Sequence, residues 1–347
     1  MRKFVLTFII FIFVLSFTTI SLCYDSSSSY IWSSDYSATL ETSSSINTSI
    51  NVEDNNSLNL ESGSAILIEQ STGQVLYSHN SHEKLRPASV TKIMSILLIM
   101  EQIDSGRLSY TEQIPCSENA RSMGGSQIWL DTKETLTVDE MLKAICVVSA
   151  NDCTVAMAEY LEGSQEAFVQ KMNEYAKSLG CENTNFVNPD GLHDENHYTT
   201  ASDMSKIALA ALKNPEFTKI CNTVEYEYNG KKFYHTNLML RKGYVSYYYK
   251  YAKGVKTGST EEAGYCVITT ASKDGYNYLA VVLGAPVIDY NKDGYVEKCS
   301  FIDAATLFDW AFSQLKYSTV LEQSEVVDEV PVKNGKNADT VRLVAKD

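Results

Sequence analysis

A serine and a lysine three residues apart, Ser89-Val90-Thr91-Lys92, stand at the head of the apolar run Ile93-Met94-Ser95-Ile96-Leu97-Leu98-Ile99-Met100. No other feature constrains the chain as much. Pro87, two residues upstream, suits the first turn of a helix, where its missing N–H costs nothing. Residues three apart share a helix face, so the spacing predicts Ser89 and Lys92 one turn apart, with Ser89 at the positive end of the helix dipole. A hydroxyl beside an amine is the arrangement of an activated nucleophile. Taken alone, the four residues also fit a polar start to a buried helix.

Two motifs downstream favour chemistry. Ser149-Ala150-Asn151 is an S-x-N and Lys256-Thr257-Gly258 is a K-T-G. Thr137-Val138-Asp139-Glu140 is a capping box opening a helix, and Ser149 and Asn151 interrupt the helical pattern that follows. Lys256-Thr257-Gly258 leads into Tyr265-Cys266-Val267-Ile268-Thr269-Thr270, a β-rich run. The order S-x-x-K, S-x-N, K-T-G is the triple signature of penicillin-binding proteins and serine β-lactamases.

From about Ser64 to Leu315 the chain resembles the low-molecular-mass penicillin-binding proteins, the serine-type D-Ala-D-Ala carboxypeptidases. The resemblance is carried by Glu69-Gln70-Ser71-Thr72-Gly73-Gln74-Val75-Leu76-Tyr77, by Arg86-Pro87-Ala88-Ser89-Val90-Thr91-Lys92-Ile93-Met94 and by Ser149-Ala150-Asn151-Asp152. It continues through Asn188-Pro189-Asp190-Gly191-Leu192, His197-Tyr198-Thr199-Thr200-Ala201-Ser202-Asp203-Met204 and Gly254-Val255-Lys256-Thr257-Gly258-Ser259-Thr260. It implies an α/β (α+β) fold, an antiparallel sheet flanked by helices with a helical subdomain. It also implies peptidoglycan stem peptides as substrate, β-lactam antibiotics as acylating ligands, and a place in cell-wall biosynthesis and cell shape. On the same basis Ser89 is the nucleophile, Lys92 its base and Ser149 a proton relay. Asn151 holds the substrate amide, Lys256, Thr257 and Gly258 receive its C-terminal end, and the backbone N–H groups of Ser89 and Ser259 form the oxyanion hole.

The rest of the chain is organised around that domain. Arg2 and Lys3 precede an apolar run from Phe4 to about Leu15, and Ser21 and Cys23 supply small residues, so 1–23 read as an export signal. Residues 24–63, rich in Ser, Thr and Asn, lack the apolar surface to offset ordering entropy and are expected to be a tether. The carboxypeptidase domain is expected over 64–318. After it, Glu325 to Val332 and Thr340 to Val344 read as the opening strands of a small C-terminal β-domain, incomplete at 319–347. Membrane attachment is expected only through an uncleaved signal or a missing C-terminal anchor.

The net charge of −14 over 347 residues argues against nucleic acid as a partner. Eight cysteines, with Cys146, Cys153 and Cys266 inside apolar patterns, read as buried thiols rather than a disulfide framework. No cofactor is expected. His193 and His197 lie in a loop, not on a helix face, and are not assigned a metal. Asp289 to Glu297 has the D-x-[DN]-x-[DN]-G opening of a calcium loop, but the twelfth position is Ser300, so only a weak structural calcium is expected there. Gln165 to Leu179 reads as a helix stopped by Gly180. Asp274-Gly275 reads as a hairpin turn, and Ser300 as the cap of a helix over Phe301 to Leu315.

The chain also departs from the family pattern. Ser259 follows the K-T-G, Ser202 stands where some relatives carry an arginine, and Arg241 to Tyr251 is long and tyrosine-rich, read as a packed loop. The alternatives are a β-lactamase of the same fold, for which no Glu-x-x-Leu-Asn is present between the second and third motifs, and a non-catalytic wall-binding or scaffold protein.

Overall fold

The computed structural model describes residues 58–292, 294–315, 326–331 and 340–344. A five-stranded antiparallel sheet forms its centre: β1 (Ser64–Glu69), β2 (Val75–His79), β3 (Ala252–Thr260), β4 (Gly264–Lys273) and β5 (Tyr276–Ala285), in the order β2-β1-β5-β4-β3. The period-2 geometry of a strand sends alternate side chains to opposite faces. In β1, Ile66 and Ile68 join one apolar core while Ala65 and Leu67 join the other. In β5, Leu279, Val281 and Leu283 face the first core and Tyr278, Ala280 and Val282 the second. Both faces are covered, which is why these strands read as unbroken apolar runs. The β4–β5 hairpin turns through Asp274 and Gly275, both at positive φ (52° and 86°), the backbone that the Asp-Gly pair favours.

The first core lies between the sheet and a helical layer. Its members are α1 (Lys92–Asp104), α2 (Val138–Lys143), α3 (Asn151–Glu162), α4 (Gln165–Ser178), α5 (Ala201–Leu212) and α6 (Pro215–Cys221). Local sequence sets their ends. Thr137 and Glu140 form the predicted capping box of α2. Ser164 caps α4, which stops at Leu179 before Gly180 (φ 74°). The second core lies under α7 (Cys299–Gln314), whose Phe308 and Ala311 pack on β5 and β4 with the tyrosines of the long loop. Tyr247 meets Phe301, Tyr249 meets Phe308 and Tyr251 meets Phe312, with ring centroids 5.4–5.8 Å apart. The tyrosine-rich segment is thus a packed loop, as read from the sequence.

Two local expectations change. Ser300 does not cap α7: the helix starts at Cys299 with no side-chain cap. Asp303 instead turns its carboxylate to the backbone N–H groups of Ser62 (2.8 Å) and Glu61 (3.4 Å). These bonds tie down the segment before β1, where Leu58 and Leu60 also pack on the second core. The last residues of the stretch 24–63 assigned to the tether are thus held against the domain. The export signal and residues 24–57 lie outside the described residues. Among the described residues after Leu315, two strands pair antiparallel, Val326–Pro331 with Thr340–Val344.

Candidate active site

Ser89 lies in a single 3-10 turn, Ala88–Thr91, that runs directly into α1. Two glycines press on this turn. Gly191 (φ 82°) sits so close that a Cβ there would be 1.9 Å from the Ala88 carbonyl oxygen. On the opposite element, a Cβ on Gly258 of β3 would be 2.7 Å from the Ser89 backbone nitrogen and 2.9 Å from the Pro87 carbonyl. Only glycine allows the K-T-G strand to lie against the serine's own backbone. A Gly258→Ala substitution should therefore push β3 off this turn and cost at least tenfold in acylation rate, about 1.4 kcal/mol. Stopped-flow acylation with a chromogenic β-lactam would measure it.

Lys92 is fully buried one turn on. Its Nζ donates to Ser89 Oγ (3.0 Å), to Asn151 Oδ1 (2.6 Å) and to the Asp190 carbonyl (2.5 Å). An ammonium has three protons, and each finds an acceptor. Burial drives Lys92 down to about 8, against the opposing pull of the Asp190 and Asp152 carboxylates.

Ser149 and Asn151 reach this point through a break in the helix. After Lys143, α2 widens into a π turn, Ala144–Val148, and ends at Ser149 in the left-handed region (φ 68°, ψ 33°). Such a turn inside an α-helix frequently marks a functional site. The Ser149 hydroxyl is buried and has no hydrogen-bond partner among the described residues. Asn151 opens α3. Its Nδ2 donates to Gly124 O (2.7 Å) and its backbone N–H to Ser126 O (2.7 Å), so its amide is locked with the oxygen toward Lys92. Asp152 holds the same loop: its buried carboxylate accepts from the backbone N–H groups of Ile128 and Leu130, both at 3.1 Å. Burial raises its pKa in spite of those donors.

Lys256 lies on β3, the edge strand, and is also fully buried. Its Nζ donates to the Thr257 carbonyl (2.9 Å). Burial first, and the Lys92 ammonium second, push Lys256 down to about 7. Two buried ammonium groups that repel each other titrate as a pair, and near neutral pH the pair sheds one proton easily.

The first two motifs meet at Lys92, and the backbone contact of Gly258 with Ser89 brings the third to them. Sequence reasoning missed three participants. The Asp190 carbonyl is one and Asp152 another. The third is Thr236, whose Oγ1 accepts from Thr257 Oγ1 at 2.7 Å. Thr236 is held by its neighbours: His235 is wholly buried and Asn237 donates from Nδ2 to the Gly254 carbonyl (2.8 Å). The polar run His235-Thr236-Asn237 before a K-T-G was the available signal. Ser202 stands at the start of α5. Its backbone N–H is bonded to Ser81 O (2.9 Å), and the side chain beside Thr257 is Thr236.

The two loop histidines diverge. His197 is buried, accepts from Val187 N–H at Nδ1 (3.2 Å) and meets Thr91 Oγ1 through Nε2 (2.8 Å); burial lowers its pKa to about 4, so it is neutral. His193 instead faces Glu262 at 3.7 Å. Among the described residues no cluster of three or more His, Cys, Asp or Glu side chains is arranged to hold a metal. In the Asp289–Glu297 loop, Gly294 N–H donates to the Asp289 carboxylate (2.8 Å).

Comparison with known proteins agrees with this geometry. Residues 50–287 match the family described as D-alanyl-D-alanine carboxypeptidase. The chain is 44% identical over 281 residues to the D-alanyl-D-alanine carboxypeptidase DacF of Bacillus subtilis, covering 80% of this chain and 68% of the relative. Among solved structures it resembles penicillin-binding protein 5 from Haemophilus influenzae, with a TM-score of 0.70 and 27% identity over 82% of this chain and 80% of the other. It also resembles the ampicillin-bound penicillin-binding protein D2 from Listeria monocytogenes, with a TM-score of 0.62 and 26% identity over 73% of this chain and 98% of the other.

Proposed function

The chain belongs to the D-alanyl-D-alanine carboxypeptidase family, and from that premise we propose a role for each residue of the site. The protein is a serine-type DD-carboxypeptidase: it removes the terminal D-alanine from peptidoglycan stem peptides through an acyl-enzyme, and penicillins acylate it by the same route. The observation that carries the assignment is the set of three hydrogen bonds that Lys92 Nζ donates, to Ser89 Oγ, Asn151 Oδ1 and the Asp190 carbonyl, in a fully buried setting.

In the resting protein Lys92 donates to Ser89, so it must lose a proton before it can take one. The arriving substrate supplies the means. A C-terminal carboxylate set beside Lys256 and Thr257 raises the proton affinity of Lys256 and draws the proton of the buried pair onto it. Lys92 is then neutral, and its lone pair accepts the Ser89 proton as Oγ attacks the D-Ala carbonyl. The oxyanion forms against the backbone N–H groups of Ser89 and Ser259, which Gly258 brings together. The proton returns through the unpartnered Ser149 hydroxyl to the leaving amine, D-alanine departs and water releases the shortened peptide. Asn151 orients the scissile amide and keeps Lys92 in place.

Release of D-alanine from a pentapeptide stem, measured beside Ser89→Ala, tests the reading; equal release by both proteins would reject it. Thr236 extends the carboxylate site. Thr236→Val should raise KM for the pentapeptide about tenfold, roughly 1.4 kcal/mol, with kcat nearly unchanged, because it removes a hydroxyl that fixes Thr257.

The family works at the cell wall, and we propose export through residues 1–23. Among the described residues no helix is long and apolar enough to cross a membrane. The reaction as assigned uses the chain's own side chains and backbone N–H groups, so chelators should leave the rate unchanged. A structural calcium at Asp289–Glu297 is a separate proposal, supported by the loop pattern. It should raise the melting temperature in millimolar calcium relative to chelator, the affinity range of extracellular modules; equal melts would dismiss it.

A further inference from the structure

We propose that Cys146 and Cys221 form a latent disulfide, which, when closed, fastens the segment ending on Ser149 to the segment that supports Lys256. All seven described cysteines are buried and unbonded. Among the described residues one pair stands out: the sulfurs of Cys146 and Cys221 lie 3.6 Å apart across a sequence separation of 75. A disulfide needs about 2.05 Å, so side-chain rotation with a small approach of the two segments closes the gap.

The position of the pair gives the bond its meaning. Cys146 is in the π turn Ala144–Val148 that ends on Ser149. Cys221 is the last residue of α6. Gly254 of β3 rests on it: a Cβ at Gly254 would be 3.0 Å from the Cys221 Cβ and 3.1 Å from its carbonyl oxygen. Lys256 is two residues further along. The segment His235-Thr236-Asn237 already bonds to the same turn, through Thr236 N–H to the Val147 carbonyl at 3.2 Å. One covalent link here would join the supports of the second and third motifs and hold their separation fixed.

The chemistry is thiol–disulfide exchange with an external disulfide. One thiolate attacks it and expels a thiol, and the second thiolate displaces the other half. Cys146 and Cys221 lose two electrons and two protons, and the external disulfide becomes two thiols. Only thiolates react, and burial raises the Cys221 thiol well above its ordinary range. Exchange therefore belongs to the folding chain or an opened state, before the core closes. Once made, the bond is shielded from reductant by the same burial.

The test is to refold the full chain from denaturant in a glutathione redox buffer and, in parallel, in excess reductant, and to read the soluble folded fraction. The oxidised sample should be lighter by two hydrogens, with a proteolytic fragment joining the peptides of Cys146 and Cys221. It should melt about 5 °C above the reduced sample, because cross-linking a loop of this length restricts the unfolded chain. Cys146→Ala and Cys221→Ala should melt alike under both conditions. Two alkylatable thiols at these positions after oxidative refolding, a link to a different cysteine, or an oxidised form that melts no higher would overturn the proposal. These readouts do not involve catalysis, so they stand or fall apart from the roles assigned to Ser89, Lys92 and Lys256.

Discussion

Ser89→Ala should eliminate covalent labelling by a fluorescent penicillin, a loss limited only by the detection threshold. The acyl bond has no other acceptor in the proposed mechanism. The hydroxyl accepts from Lys92 and donates a long bond (3.5 Å) to the Asp190 carbonyl; Lys92 keeps Asn151 Oδ1 and the Asp190 carbonyl as acceptors, so its loss should cost about 1 kcal/mol of stability. Mass spectrometry of the wild-type adduct should locate the penicilloyl group on the peptide containing Ser89. A Ser89→Ala protein that still carries the label would place the nucleophile elsewhere. The wild-type adduct should also be long-lived, because no carboxylate hydrogen-bonds to Ser89 or Lys92 among the described residues to activate a deacylating water. Rapid multiple turnover of nitrocefin would contradict this and favour the β-lactamase alternative.

Lys92→Arg should lower the acylation rate by about a thousandfold, the usual scale of a general base. The guanidinium cannot be deprotonated at working pH, whereas Lys92 already sits near 8. Because Lys92 is buried, Lys92→Met serves as a second variant of similar length without charge, and circular dichroism with thermal melts controls for folding. Either variant acylating within tenfold of wild type would point to another base.

The pH dependence follows from the same pair. With the two lysines near 7 and 8, the acylation kcat/KM should rise as the pair loses its first proton and fall as it loses the second. Stability should move differently. Both lysines are lowered in the folded protein from an ordinary value of 10.5. Between about pH 7 and 10.5 the unfolded chain therefore binds more protons than the folded one, and stability should increase with pH across that window. Lys92→Met should flatten part of that slope.

Much of this protein was legible because its rules are local. Steric preference makes Asp274-Gly275 a turn, the helical period makes Gln165 to Ser178 a helix, and Thr137 with Glu140 closes a capping box within four residues. The order of Ser89, Lys92, Ser149, Asn151 and Lys256-Thr257-Gly258 needed no coordinates to identify the family, because the chemistry demands those side-chain types. Where local rules compete with distant partners, the sequence reading fails. Ser300 is a sound cap by pattern, yet α7 starts at Cys299 without a side-chain cap, and Asp303 is drawn to the backbone of Ser62, 241 residues away, which holds that segment on the domain.

What only the tertiary structure decided is the meeting of these groups. Lys92 finds Asn151 59 residues on and the Asp190 carbonyl 98 residues on. Thr236 reaches Thr257 only because His235 and Asn237 are buried beneath β3. The lowered pKa values of Lys92 and Lys256 are equally invisible in the sequence. Desolvation lowers Lys92 against the pull of the Asp190 and Asp152 carboxylates, and desolvation together with the Lys92 charge lowers Lys256; both depend on packing that brings remote segments into one dry space. The residue types are set along the chain; their proton affinities are set by the fold.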